Sequence, residues 1–294
     1  MTQFDQIYKD IVNEILTTGK SSHFYGGVRT KYADGTPAHY ISKYGLHFKL
    51  NVDWNNPETF PLLTSRYTPI KSAFREIAWI WLFRSNNVKD LREKLECKFW
   101  DEWEREDNTI GKAYGYQIAK PVLGYDNQLS YIVKTLQKDP NSRRAITEIW
   151  VPSELEDMVL TPCVHLTQWS ISDNKLILEV RARSTDVGLG LVSNVAQYCI
   201  LQKLVADEIG VEVGEFIWSS HNYHIYTRHA NTLQKQVEST QEAGNWKLVI
   251  PENFPSLLKD WDINNPEDVD FVKGVHIEGY KPSDFPKYTY EVAI

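Results

Sequence analysis

Apolar residues recur every three to four positions at the start of the chain, at Phe4, Ile7, Tyr8, Ile11, Val12, Ile15 and Leu16, and Gly19 follows them. That spacing lays one apolar stripe along a helix and sets a stop behind it. Phe74, Ile77, Ala78 and Trp81 repeat the period and predict a second helix over 70–83. A third is predicted from Leu129 to Lys138, closed by Asp139-Pro140. Residues 26–50 carry short alternating stretches broken by turn residues such as Asp34-Gly35-Thr36-Pro37, a strand pattern, whereas 84–127 read as short helices and loops. In the second half the period falls to two: Ile146 to Trp150, His165 to Ser172 and Lys175 to Arg183 are predicted strands, the last two joined at Asp173-Asn174. Val195, Tyr198, Leu201, Gln202, Val205 and Ile209 define a long helix ending at Gly210, and Phe216 to Tyr226 returns as a strand. A helix around 228–238 and a Pro-rich, strand-poor tail complete the chain. With no linker, repeat or low-complexity tract, residues 1–294 read as a single α+β domain, a mixed sheet with flanking helices.

Charge and composition narrow the function. The 294 residues carry 32 Lys+Arg against 39 Asp+Glu, a formal charge of −7. An acidic balance argues against a nucleic-acid polymer as partner, since such binding rests on displacing counterions with a basic surface. It leaves room for a single nucleotide held by a few arginines. The 10 Trp, 16 Tyr and 11 Phe supply a large core or pockets that stack flat rings. Cys97, Cys163 and Cys199 are odd in number and far apart, with no metal-ligand spacing, so neither a disulfide framework nor a metal is expected. The start lacks a basic, then apolar leader, and the longest apolar run, Ile77 to Phe83, is too short to cross a bilayer. A soluble cytoplasmic protein without membrane contact is the expectation.

Several residues could carry chemistry. Cys163, in Thr161-Pro162-Cys163 before a strand, is by type more often a small buried hydrophobe than a nucleophile. The chain also offers Arg29, Arg143-Arg144 and Arg181/Arg183, and cations near a thiol lower its pKa and bind phosphate. The same arginines are equally explained as solvated strand edges. Glu76 falls on the apolar side of its helix, where burial would make it an acid/base candidate, unless helix rotation leaves it at the boundary. His224 and Tyr226, two apart on a strand, share a face. Asn194 stands at the start of the long helix and could be its N-cap.

In combination these residues resemble the thymidylate synthase family. Pro162-Cys163, Arg183-Ser184-x-Asp186, Asn194 and His224-x-Tyr226 occur in that family's order and spacing. Upstream, Glu76, Trp100-Asp101-Glu102-Trp103, Tyr114-Gly115 and Ser142-Arg143-Arg144 match as well, as does the terminal Val292-Ala293-Ile294. Phage-type members share the Thr-Pro-Cys-Val and Val-Arg-Ala-Arg-Ser wording, so a phage-encoded enzyme acting in host cytoplasm fits. The resemblance implies that the Cys163 thiolate adds to C6 of dUMP, making C5 a carbon nucleophile toward 5,10-methylenetetrahydrofolate. Tyr114 and a Glu76-ordered water network would aid proton transfers. Arg29, Arg183, Ser184 and, from the partner subunit, Arg143 and Arg144 would hold the phosphate, which implies a homodimer joined through the sheet. His224 and Tyr226 would bind the ribose hydroxyl. Trp100, Trp103, Asp186, Leu189, Gly190, Ser193 and Ala293 would line the folate side, Asp186 contacting the pterin, with Ala293-Ile294 closing the site. An amide at Asn194 can pair with the N3–H/O4 edge of uracil, whereas the related deoxycytidylate hydroxymethylases have Asp, so dUMP and not dCMP is expected.

Two motifs depart from the family. Where synthases read Gly-x-Pro-Phe-Asn, this chain has Gly190-Leu191-Val192-Ser193-Asn194; where they read Gly-Asp-x-His-x-Tyr, it has His221-Asn222-Tyr223-His224-Ile225-Tyr226. A lost folate-wall aromatic and added polar groups favour water over hydride as the terminating reagent. The expectation is therefore a dUMP hydroxymethylase making 5-hydroxymethyl-dUMP, with Val192, Ser193, His221 and Asn222 controlling the branch. The alternative is thymidylate synthase, making dTMP and dihydrofolate. A non-catalytic nucleotide- or RNA-binding relative is disfavoured by retention of the nucleophile.

Overall fold

Long strands with one apolar face dominate the computed structural model, which describes residues 1–25 and 27–294 apart from the side chains of Phe24 and Tyr25. The first half holds α1 (Gln3–Thr18), β1 (Lys20–Ser21), β2 (Tyr40–Asn51), α2 (Ile70–Trp81), α3 (Val88–Glu93), α4 (Gly115–Ile118) and α5 (Gln128–Lys138). The second holds β3 (Ile146–Glu148), β4 (Val164–Ser172), β5 (Lys175–Asp186), α6 (Gly190–Ile209), β6 (Glu212–Tyr226), α7 (Ala230–Val237), β7 (Lys247–Val249), α8 (Pro266–Gly274) and β8 (His276–Glu278). Six strands form one mixed sheet in the order β1-β2-β6-β5-β4-β3, and β7 pairs with β8 in a small second sheet. The α+β class expected from the sequence is the observed one.

The sheet has a covered face and an open face. Leu46, Phe48 and Leu50 of β2 and Phe216 and Trp218 of β6 are buried with Leu178 and Val180 of β5. Alternate positions on the same strands, His47, Lys49, Asn51 and Arg181, are exposed. The parallel pair β5/β6 needs a crossover, and α6 supplies it. Its apolar residues are buried nearly all round, including Leu191, Val192, Val195, Cys199 and Val205, so it runs through the core. Gly210 ends it in the left-handed conformation, φ 88°, which a residue without Cβ adopts freely. α1 starts on a capping box in which Thr2 and Asp5 satisfy each other's backbone N–H groups.

Departures from the sequence expectations have local causes. Among the described residues of 26–50, only β2 joins the large sheet; 31–37 forms a tight bridge, Lys31 to Pro37, around the Asp34-Gly35 turn, and Gly26 lies outside the described residues. The tail read as strand-poor contains β7, β8 and α8. Three-residue strands are too short for alternation to register, but Asn265-Pro266 ahead of α8 was a legible cap followed by a first-turn proline. Among the described residues no helix is long and apolar enough to cross a membrane.

Candidate active site

β5, β6, α2, α6 and the 84–127 segment converge around Cys163, which precedes β4. The Cys163 backbone N–H donates to the Tyr114 hydroxyl at 3.1 Å. The Tyr114 ring stands edge-on to Trp100, centroids 5.0 Å apart, and Trp103 meets Trp100 at 5.7 Å. Trp100 Nε1 donates to Glu76 Oε1 at 2.6 Å, and Gln197 Nε2 donates to the other oxygen, Oε2. One continuous line thus links the Cys163 backbone, the Tyr114 phenol, the Trp100 indole, the Glu76 carboxylate and the Gln197 amide. Tyr114 itself has φ 46°, ψ −104°, a backbone conformation unfavourable for a non-glycine residue.

Electrostatics follow burial. Glu76 is enclosed, which raises its carboxyl to about 7 against the two hydrogen bonds that favour the ionised form. Burial also raises the Cys163 thiol, and the Arg183 guanidinium, Nη2 3.8 Å from Sγ, pulls it back only in part. The expectation that cations depress this thiol is right about Arg183 and wrong about the balance. Arg183 is committed to the loop as well: Nε donates to the Pro162 carbonyl at 3.0 Å and Nη2 to that of Thr161 at 2.9 Å. Nη1 has no partner among the described residues.

On the opposite rim, the β5/β6 register sets Ser184 beside Asn222 and Asp186 beside His224. Asn222 Oδ1 lies 3.1 Å from Ser184 Oγ, which donates to it, and 2.9 Å from His224 Nδ1. Burial lowers the His224 pKa, favouring neutral imidazole, and the Asn222 contact fits the tautomer with the proton on Nδ1. Tyr226 stands edge-on to His224 at 5.1 Å. Asp186 Oδ1 accepts from the N–H groups of Gly188 and Leu189 at 2.8 and 3.4 Å, shaping the loop into α6. Gly188 is required there by space, since a Cβ would come within 2.7 Å of His229 Nδ1.

Asn194 lies inside α6, which begins at Gly190, so the N-cap alternative is excluded. Its half-buried side chain has no hydrogen-bond partner among the described residues. Ser193 is half-buried beside it. Arg29, Arg143 and Arg144 are exposed, and none forms an ion pair among the described residues. Arg143 and Arg144 precede β3, the edge strand of the sheet. Arg181 is bound to Glu179 on the open face. Ala293 bridges to Tyr32, and Tyr32 meets Tyr226 edge-on at 6.3 Å, so the tail abuts the site.

Two of the four expected branch-controlling residues are not brought to the site. Val192 is 1% exposed and packed in the core, because α6 is apolar on nearly every side. His221 is exposed against Tyr44, 5.4 Å away, because strand alternation turns it opposite to Asn222. Gln197 was missed by sequence reasoning; its signal is a polar residue one turn beyond Asn194 in an otherwise apolar stretch.

The sequence model of the family described as Thymidylate synthase matches residues 6–294. A thymidylate synthase of Fusobacterium nucleatum is 52% identical over 293 residues, covering 99% of each chain. One from Bacillus phage phi3T is 39% identical over 299 residues, covering 100% of both. The solved structure of the thermostable thymidylate synthase A from Bacillus subtilis superimposes with a TM-score of 0.84 at 37% identity, covering 100% of each chain. On a match that runs from Gln6 to Ile294, the chain belongs to the thymidylate synthase family, enzymes that transfer one carbon from methylenetetrahydrofolate to C5 of dUMP.

Proposed function

We propose that the protein is a thymidylate synthase, making dTMP and dihydrofolate, and that it acts as a cytoplasmic homodimer. The observation that carries this choice is the position of Val192 and His221: one in the core, the other on the open face against Tyr44. Of the polar residues expected to favour water, His221 is thereby turned away from the site, while Ser193 and Asn222 remain at it. The relatives' shared name points the same way, and the hydroxymethylase expectation is set aside.

The residues present suit both substrates. Asn194 has a free amide for the uracil edge, and Arg29, Arg143, Arg144 and the open Nη1 of Arg183 offer donors to one phosphate. Trp100 and Trp103 give a flat ring an apolar wall beside Glu76. When bound, the folate supplies the one-carbon unit and the hydride. Cys163 Sγ attacks C6 of dUMP once ionised, and Arg183, at 3.8 Å, is the cation that stabilises the thiolate. Glu76, near neutrality in pKa, can accept and return a proton through water at the pyrimidine. His224 and Tyr226 orient the ribose, and Asp186 presents its second oxygen to the pterin. The open sheet face serves as the dimer surface, which brings Arg143 and Arg144 of one protomer to the phosphate of its partner.

The test is to incubate the protein with dUMP and methylenetetrahydrofolate and identify both products. Dihydrofolate is expected to appear one-for-one with dTMP. Accumulation of 5-hydroxymethyl-dUMP with tetrahydrofolate would overturn the assignment.

A further inference from the structure

Arg228 sits where β6 ends, two residues beyond Tyr226, and its guanidinium joins two remote segments. Nη2 lies 2.8 Å from Asp34 Oδ2 and donates to Thr36 Oγ1 at 2.6 Å, while Nη1 lies 2.5 Å from Glu291 Oε2. The same group stacks over the Tyr32 ring at 4.1 Å. Next to it, His229 Nε2 contacts the Glu291 carbonyl at 2.8 Å, so consecutive residues grip the side chain and the backbone of Glu291. The segment held this way continues into a two-way backbone pairing: Lys31 N–H to Ile294 O at 2.6 Å and Ile294 N–H to Lys31 O at 2.9 Å. A cleft of about 380 Å³ lies alongside, lined by Asp34, Glu102, Arg228, Glu291 and Ile294 among others.

We propose that Arg228 is a positioning residue for the reaction: it neutralises Asp34 and Glu291 together and thereby holds Glu291–Ile294 against the 31–36 turn, beside Tyr226. The inference rests on the reading that Ala293-Ile294 covers the folate side of the site. Two carboxylates facing one cation make the device asymmetric. Without the guanidinium, Asp34 and Glu291 repel each other across the seam; without Asp34, the Glu291 half of the clasp persists. A lysine restores the charge but cannot fork to both carboxylates while stacking on Tyr32. The contacts are partly exposed, so each is weak alone and the effect comes from the network.

Hydrogen exchange followed by mass spectrometry reads the clasp directly, in peptides covering Lys31–Asp34 and Glu291–Ile294 of the full-length protein. Arg228→Gln is expected to speed exchange in both peptides by about three- to tenfold, Arg228→Lys and Asp34→Asn by less. In steady-state kinetics the same order is expected in the KM for methylenetetrahydrofolate, with the KM for dUMP changed little. Exchange unchanged in both Arg228→Gln and Asp34→Asn overturns the proposal, as does faster exchange with an unaltered folate KM. Should Arg228→Gln fail to fold, Asp34→Asn carries the same test. A wild-type protein that does not turn over dUMP would instead sink the thymidylate synthase reading, while the exchange result still judges the clasp.

Discussion

Glu76 is a carboxylate whose two oxygens are held by different parts of the chain, Trp100 on one side and Gln197 on the other. With its folded pKa at about 7 against an ordinary 4.5, the folded protein keeps a proton between those values that the unfolded chain has lost. Stability therefore falls as pH rises through that window, by about 3 kcal/mol when complete. Glu76→Gln abolishes this slope: from pH 4 to 8, urea unfolding is expected to show the variant gaining that much relative to the parent. Parallel curves would contradict the burial argument. Gln197→Leu removes a donor to the ionised form and is expected to move the window upward by about one pH unit. Glu76 was legible in the sequence as a polar residue on an apolar helix side. Gln197 was not, because an uncharged amide becomes significant only when another helix places a carboxylate against it.

Elements carry the site by bracing one another. α1 contributes no candidate catalytic residue, yet its Tyr8 hydroxyl donates to the Val187 carbonyl at 2.8 Å, securing the loop that Asp186 shapes. The start of α1 is pinned by Asp5, 1% exposed, whose carboxylate accepts from Thr2 N–H and from the Thr64 N–H and hydroxyl at 2.8, 2.8 and 2.7 Å. Asp5→Ala leaves buried donors unpaired and is expected to cost about 3 kcal/mol in denaturant unfolding. A loss under about 1 kcal/mol would mean that water replaces the carboxylate. The helix itself was legible from its period and stop; its role was not, since the hydrogen bond to Val187 spans most of the chain.

At the scale of the whole molecule, the proposed dimer makes each site a shared object. Cys163→Ala and an Arg143→Ala/Arg144→Ala double variant are each expected to be nearly inactive alone. Unfolded together in equal amounts and refolded, half the dimers are mixed, and each mixed dimer holds one intact site. About a quarter of wild-type activity should return. No recovery would mean that the arginines serve their own protomer.

Pattern along the chain determined the α+β class, the large helices and β4 to β6, while the resemblance to the family implied the residues of a thiol-based C5 transfer. Those features are local or motif-borne: a helical or strand period needs only neighbours in sequence, and a family motif is recognisable by residue types in a fixed order and spacing. The tertiary structure decided what periodicity cannot express. It put Val192 in the core and His221 on the open face, leaving one residue of each departure, Ser193 and Asn222, at the site. It joined Gln197 to Glu76, and Arg228 to both Asp34 and Glu291. The reason is the same in each case: a side chain's chemistry depends on which partners and how much water surround it, and those partners come from distant segments that meet only when the sheet and α6 assemble.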